Sequence, residues 1–247
     1  SIGMWQYIKD KGFANTTEDH NESFYVGDAA GRIKDKGNKK DFSDSDRKFA
    51  INLNLQFYTP EIFFLNNKDV SKERKYELSG YQLNYVRTKK NKKIKFKSNK
   101  KIILISGLPG LGKSRLSKKI SKKYSIEHLS KDKYGSKVNS LINKKLKENE
   151  SFIIEGLLYQ NKDRQKYIDI AKKNNYDIYL IEMKTDRELS YHLNLWRHIY
   201  KEKEKVPMIV YNMYRKNYQE PKEKDYDEIF NYYPKTMNEK INKFYLG

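Results

Sequence analysis

The chain contains no cysteine. Disulfides, Cys-ligated metals and thiol nucleophiles are therefore excluded, and the fold has no covalent staple. Histidine is nearly as scarce: His20, His128, His192 and His198 stand at no HExxH or comparable ligand spacing, and the last two fall in a helical pattern that packing or solvation explains. Apolar runs are short, none nearing the ~20 residues that cross a bilayer, and no signal-peptide pattern is read at the start. No membrane partner and an intracellular protein are the expectation. Negative charge is in deficit too, with 32 acidic against 52 basic residues and a formal charge of +20. Such a field draws polyanions, because neutralising phosphates releases condensed counterions. Nucleic acid is thus the leading expected partner, although a coding bias toward Lys, Asn, Tyr and Ile gives the same balance.

What is present divides into blocks. The 247 residues are enough for one large domain or two modest ones. The opening "SIGMW" has no start-like character, so an N-terminal portion is expected to have been removed. Residues 1–67 hold "SFYVGDAAGR", a strand-like run ending in Gly27-Asp28, then a loop rich in Gly, Lys and Asp, then "SDRKFAINLNLQF" with the spacing of a short helix. Residues 68–100 are mostly polar and end in "TKKNKKIKFKSNKK", whose like charges repel; this reads as a basic linker or exposed edge open to phosphates. From Lys101 strands alternate with helices. "KIILIS", "SIEHLS", "SFIIEG" and "YDIYLIEM" read as strands, while "KSRLSKKISKKY", "SKVNSLINKKLKEN", "KDRQKYIDIAKKN" and, opened by Asp186, "DRELSYHLNLWRHIY" read as helices. That alternation predicts an α/β domain over 101–247 with a mostly parallel sheet covered on both faces.

Between the first of those strands and its helix lies "GLPGLGKS", which satisfies G-x-x-x-x-G-K-[ST] with Gly107, Gly112, Lys113 and Ser114, and has a further glycine at Gly110. A chance match in a chain this long is expected roughly once in a hundred at average residue usage, and the strand–loop–helix setting lowers that further. Glycines let backbone N–H groups converge on phosphate oxygens at a helix N-terminus, where the dipole favours negative charge. Lys113 would bridge the β- and γ-phosphates of ATP, and Ser114 would ligate Mg²⁺. A GTPase would also need Asn-Lys-x-Asp beyond the loop; the "NKKD" at 38–41 lies upstream and reads as coincidence.

A kinase further needs a carboxylate to take the acceptor's proton, and cations on a lid. Asp132 follows the second strand at the crevice end, a position that equally suits a helix cap. Glu155 ends the third strand, where it is either a metal-organising carboxylate or a plain strand-end charge. Arg197 and Arg215 lie in the helical region after the fourth strand, as lid cations or solvated ones.

With these residues in view, the chain resembles the bifunctional polynucleotide kinase 3′-phosphatases over nearly its whole length. "GMW", "FYVGDAAGR", "KKDFSDSDRKFAINL" and "TPEIFFL" are similar to the second half of that family's phosphatase domain, of haloacid-dehalogenase fold. "GLPGLGKS", "LSKDKYGS", "RQKYIDIAKK" and "YRKNYQEP" follow its P-loop kinase domain in order. The resemblance implies that Asp132 is the general base for a 5′-hydroxyl, Lys113 and Ser114 the phosphate-loop pair, and Arg197 a lid arginine. It places Arg164 and Arg215 at substrate-binding positions and Asp28 at the phosphatase's Mg²⁺ site. It also implies nucleic acid with 5′-hydroxyl ends as substrate, DNA foremost, in DNA repair, and hence the nucleus or another site of viral or cellular DNA metabolism. Two motifs depart from the family: Glu155-Gly156-Leu157 replaces Asp-Asn-Thr, and Leu195 replaces a second lid arginine. No Asp-x-Asp-x-Thr nucleophile motif follows an apolar strand; Asp44-Ser45-Asp46 has the spacing but follows no apolar strand, is followed by Arg47 and comes after Asp28 in the chain. The expected protein is therefore a partial phosphatase domain (1–67), a basic linker (68–100) and a kinase domain (101–247), with a small-molecule P-loop kinase and a non-catalytic nucleic-acid scaffold as the alternatives.

Overall fold

The computed structural model describes Trp5, Tyr7, Lys11 and residues 23–35, 37–65, 74–79, 91–185, 187–201 and 203–234, without the side chains of 131, 132, 199 and 200. Asp186 lies outside the described residues. The chain divides into two compact units, Ser1–Tyr85 with Asn238–Gly247, and Val86–Met237.

The first unit contains a β–α–β crossover. Strand β1 (Phe24–Val26) pairs in parallel with β2 (Gln56–Tyr58), and helix α1 (Ser45–Leu53) connects them; a parallel pair requires such a crossover. The sequence leads one to expect helix through Phe57, but α1 stops at Leu53. Asn54 turns left-handed (φ 57°), its N–H bonding back to Ile51, and the β-prone Gln-Phe-Tyr run finds a partner strand in β1. Pro60 then starts α2 (Pro60–Phe64), where its missing N–H costs nothing. Helix α1 buries polar side chains with partners: Arg47 Nε donates to the Ala30 carbonyl at 2.8 Å, and its guanidinium covers the Tyr76 ring at 3.8 Å. Residues 74–79 pack here, with the Glu77 N–H on the Gly31 carbonyl and the Ile33 N–H on that of Lys75.

Among the described residues, the second unit forms one parallel five-stranded sheet. Its strands are β3 (Lys101–Ser106), β4 (Glu127–Leu129), β5 (Phe152–Gly156), β6 (Asp177–Met183) and β7 (Glu228–Tyr232), in spatial order β4-β5-β3-β6-β7. Helices α3 (Lys113–Tyr124), α4 (Lys131–Tyr134), α5 (Val138–Lys147), α6 (Asn161–Asn174), α7 (Arg187–Lys201) and α8 (Met208–Asn217) connect and cover it. Strand β3 is a continuous apolar run because helices shield it on both faces, and Ile102, Ile103, Leu104 and Ile105 are all fully buried. Ile102 and Leu104 join Leu129, Ile154, Ile168 and Leu180 in the core on one face. Burying each such side chain stabilises the fold by about 1.5–3 kcal/mol. Because β5 and β6 flank β3 on opposite sides, the chain order reverses at β3, and a crevice opens beyond the carboxyl ends of these strands.

Strand β7 is not read from the sequence, because "EIFNY" is short and set among charges. Asp227 fixes its register on β6: its carboxylate accepts from the Ile178 N–H at 2.7 Å, and its own N–H donates to the Ile178 carbonyl.

Candidate active site

The phosphate loop connects β3 to α3 at the reversal point. Two glycines show why it cannot carry side chains. Gly107 has φ +145°, and a Cβ there would meet Met183 Cβ at 2.9 Å; Gly110 has φ +87°, and its Cβ would strike the Ser190 carbonyl at 2.7 Å. With Gly112 as its N-cap, α3 begins at Lys113, so the helix's unpaired first N–H groups face the loop. Lys113 Nζ donates to the carbonyls of Gly107 and Leu108, each at 2.8 Å, which holds the ammonium inside the loop.

Glu155, at the end of β5, joins this loop to the neighbouring strand. Ser114 Oγ donates to Glu155 Oε1 at 2.6 Å, and Ser117 Oγ lies 3.0 Å from both Glu155 Oε2 and the Lys113 carbonyl. His128, on β4, brings Nε2 to 3.4 Å from Oε1, an electrostatic approach longer than a well-formed hydrogen bond. Burial pushes the Glu155 carboxyl up, but the contacts from His128, Ser114 and Ser117 outweigh it and hold the group below the usual carboxylate range. At neutral pH Glu155 is thus a carboxylate acceptor. Among the described residues no three His, Asp or Glu side chains form a metal cage. A divalent cation here would be shared between the Ser114 hydroxyl, nucleotide phosphates and water near Glu155, which is how Mg²⁺ is ordinarily bound beside phosphates.

Helices α7 and α8 close over the loop tip. Ser190 Oγ donates to the Pro109 carbonyl at 2.5 Å, and the Tyr211 hydroxyl reaches the same oxygen at 3.4 Å. Burial pushes the Tyr211 phenol up to about 12. Arg197 lies on α7, where its Nη2 contacts Asn194 Oδ1 at 3.3 Å and its buried Nε has no hydrogen-bond partner among the described residues. Leu195, at the family's second arginine position, is 9% exposed and packs into the interior. Arg215 is exposed and lines a cavity of about 450 Å³ with Leu108, Glu182, Arg187, Tyr214 and Tyr218. Buried Glu182 accepts from the Tyr218 hydroxyl at 2.5 Å and lies 2.7 Å from Lys184 Nζ. Burial first, then Glu182, raises the Tyr218 phenol above its ordinary value.

Of the remaining expected site residues, Asp132 and Asp28 follow their strands as the sequence reading has them, and Arg164 stands differently. Asp132 sits in α4, directly after β4; its side chain lies outside the described residues. Arg164, expected at the substrate, is interior at 1% exposure: Nη1 donates to the Leu158 carbonyl at 2.7 Å, and Nη2 to Asn161 Oδ1 and the Gln219 carbonyl. In that placement it braces the crevice wall instead of offering a cation to a ligand. Asp28 follows β1 in the first unit and is exposed, its carbonyl accepting from Arg32 Nη2 at 3.2 Å. Of the nearby carboxylates, Asp44 is held by Lys48 at 3.0 Å and by the Ser79 N–H, and Asp46 accepts from the Ala29 N–H at 3.0 Å. The "NKKD" string lies in this unit as well, with Asp41 paired to Arg32 at 2.8 Å. Sequence reasoning missed Ser117, His128 and Arg187. A second serine one helical turn after Ser114 was the available signal for the first.

The chain is similar to several known proteins. The family described as polynucleotide kinase 3 phosphatase matches residues 1–64. A provisionally named bifunctional polynucleotide phosphatase/kinase of Acanthamoeba polyphaga mimivirus is 37% identical over 96% of the chain, and the Schizosaccharomyces pombe bifunctional polynucleotide phosphatase/kinase is 30% identical over 94%. The chain spans 63% and 59% of those two proteins' lengths. The Arabidopsis thaliana polynucleotide 3′-phosphatase ZDP is 48% identical over 63 residues, 26% of this chain and 8% of that protein.

Proposed function

We propose that the chain, similar over nearly its whole length to the bifunctional polynucleotide phosphatase/kinases, transfers the γ-phosphate of ATP to the 5′-hydroxyl ends of nucleic acid, DNA foremost, in DNA repair inside the cell. One observation carries the reading. The phosphate loop and the Ser114–Glu155 pair meet at the carboxyl edge of a parallel sheet, one strand from the end of β4, after which Asp132 stands in the first turn of α4.

In this reading the glycine loop and the N-terminus of α3 bind the triphosphate through backbone N–H groups. Lys113 turns its ammonium from the loop carbonyls toward the β- and γ-phosphates. Ser114 would hold the cation through its hydroxyl oxygen, with Glu155 accepting that hydroxyl's hydrogen bond and so aiming its lone pairs. Bound Mg²⁺ supplies neutralisation of charge on the β- and γ-oxygens. Asp132 takes the proton of the attacking 5′-hydroxyl. Arg197 closes over the transferring group, Arg215 offers a cation to the acceptor's phosphates, and Arg164 keeps the wall in place.

Residues 1–67 are assigned to a haloacid-dehalogenase-like phosphatase domain, with Asp28 as its Mg²⁺ position, 68–100 to a basic connection, and 101–247 to the kinase. Asp44 and Asp46 are each committed to bonds within the first unit, which argues against either as a phosphatase nucleophile. The test is acceptor choice. With ATP in excess, a 5′-hydroxyl oligonucleotide should be phosphorylated, while free nucleosides and sugars should not; the reverse preference would assign a small-molecule kinase instead.

A further inference from the structure

The basic stretch before β3 is not a loose connection. Along 93–100 exposure alternates residue by residue, as in an extended chain whose successive side chains point to opposite faces. Ile94 and Phe96 turn inward, while Lys93, Lys95 and Lys97 stand exposed on the other side. Phe96 anchors the segment among Tyr124, Tyr179 and Phe230, with ring centroids 5.0, 5.0 and 5.9 Å away. The Tyr124 hydroxyl donates to the Ile94 carbonyl at 3.1 Å, and the Lys97 N–H reaches the Tyr179 hydroxyl at 3.3 Å. At its upper end Asn91 binds both backbone groups of Tyr233, at 2.9 and 2.6 Å.

These anchors fix a direction. Tyr233 follows β7 at the carboxyl edge of the sheet, the edge that carries the phosphate loop, and Lys101 begins β3 at the opposite edge. The segment therefore descends the sheet from the active-site side. Its outward lysines recur about every 6.6 Å, roughly one cation per two phosphates of a B-form strand. Exposed Lys123, whose Nζ reaches the Tyr124 hydroxyl at 3.1 Å, adds a cation beside Ile94. Phe96 and Asn91 pre-order the row, so binding it demands less loss of chain freedom than ordering a free basic tail.

We propose that residues 91–100 form a phosphate rail that holds the polynucleotide backbone several nucleotides inward from the 5′ end being phosphorylated. This rests on the polynucleotide-kinase reading of the crevice. Strand β7 lies two strand spacings, about 10 Å, from β3, so an acceptor of two nucleotides ends before the rail and one of sixteen reaches it. The rail thus acts on affinity for long acceptors and leaves the transfer step untouched.

The test uses the full chain and 5′-hydroxyl oligonucleotides of two and sixteen nucleotides. The triple variant Lys93→Gln, Lys95→Gln, Lys97→Gln is compared with Lys144→Gln, Lys147→Gln, Lys172→Gln, which removes the same charge from exposed helix positions. At 0.1 M salt the rail variant should bind the sixteen-mer at least tenfold more weakly, with a salt slope shallower by about two units, since each single-strand phosphate contact contributes ~0.7. Its turnover and KM for the dinucleotide should match the parent, and the control triple should lose no more than a few-fold. An unchanged slope, or an equal loss in the control triple, overturns the rail. Parent protein that binds the sixteen-mer through the rail yet phosphorylates neither length would instead refute the kinase reading and leave the rail standing.

Discussion

Ser114 and Glu155 are joined by a 2.6 Å hydrogen bond that ties the start of α3 to the end of β5. Strand β3, which leads into the loop, neighbours β5 in the sheet, so the loop's hydroxyl and a carboxylate from a different part of the chain meet where a phosphate-bound cation would sit. Glu155→Gln keeps the size and removes the charge. Partners of this kind affect metal affinity or activity by about 10–100-fold when removed, and a loss of that order in kcat/KM is expected. The Mg²⁺ concentration needed for ATP binding, followed by calorimetry, should rise with it. Glu155→Asp should recover part of both, and an unaltered Mg²⁺ requirement in Glu155→Gln would remove the carboxylate from the cation site.

Asp132 is assigned to proton abstraction. Asp132→Asn should lower turnover by roughly a hundredfold or more while leaving ATP affinity within a factor of about two. Turnover at the parent rate would mean that another group accepts the proton.

The two arginines expected at the substrate should separate. Arg164 is buried and bound to two carbonyls and an amide oxygen, so Arg164→Ala leaves those acceptors unpaired and should destabilise the second unit by about 2–4 kcal/mol. Arg215 is exposed at the cavity mouth, and Arg215→Ala should leave the melting temperature within a degree or so of the parent (surface substitutions cost little) while raising KM for the oligonucleotide. Thermal melts and steady-state kinetics of both variants decide the assignment.

In the first unit, the Arg32 network contributes to acid stability, beside the separately held Asp44. Arg32 pairs with Asp41 at 2.8 Å and Glu61 at 3.1 Å. Burial pushes both carboxyls up, but both are held below their ordinary values, Asp41 chiefly by its bonds from Arg32 and Glu61 by its own backbone N–H and the Thr59 hydroxyl, with Arg32 adding to them. A carboxylate whose folded pKa is depressed contributes stability that is fully present above its unfolded pKa, near 4, and is lost as pH falls through the lower folded value. The unit should therefore melt at a constant temperature from pH 7 to about 5 and lose stability steeply below about 4. Arg32→Ala should flatten that acid limb and lower the plateau. An acid limb equally steep in the variant would show that other groups carry the dependence.

Much of the second unit was legible in the sequence, because its local signals and its tertiary fold agree. The apolar run 102–105 is a central strand, and the glycine pattern sets the loop. Helix α3 spans the residues expected from "KSRLSKKISKKY". What was hidden depended on contacts between distant residues. Strand β7 exists because Asp227 locks onto Ile178, 49 residues away. Arg164 reads as a cation available to ligand until its bonds to Leu158 and Gln219 are seen. Glu155 looks like a departure from Asp-Asn-Thr, yet its carboxylate reaches Ser114. The lysines of 92–97 look like a repelling tract because the pattern counts charge and misses the anchoring of Phe96 against three aromatic rings.

The central claim is that the phosphate loop hands the γ-phosphate of ATP to a polynucleotide 5′ end. The most direct measurement follows the γ-labelled phosphate of ATP onto a 5′-hydroxyl oligonucleotide in a single turnover, for the parent and for Lys113→Ala. The parent should place the label on the 5′ end and nowhere else, and Lys113→Ala should lower that rate by at least a hundredfold while still binding the oligonucleotide. A parent that binds the oligonucleotide but leaves all the label in ATP or in free phosphate would contradict the account.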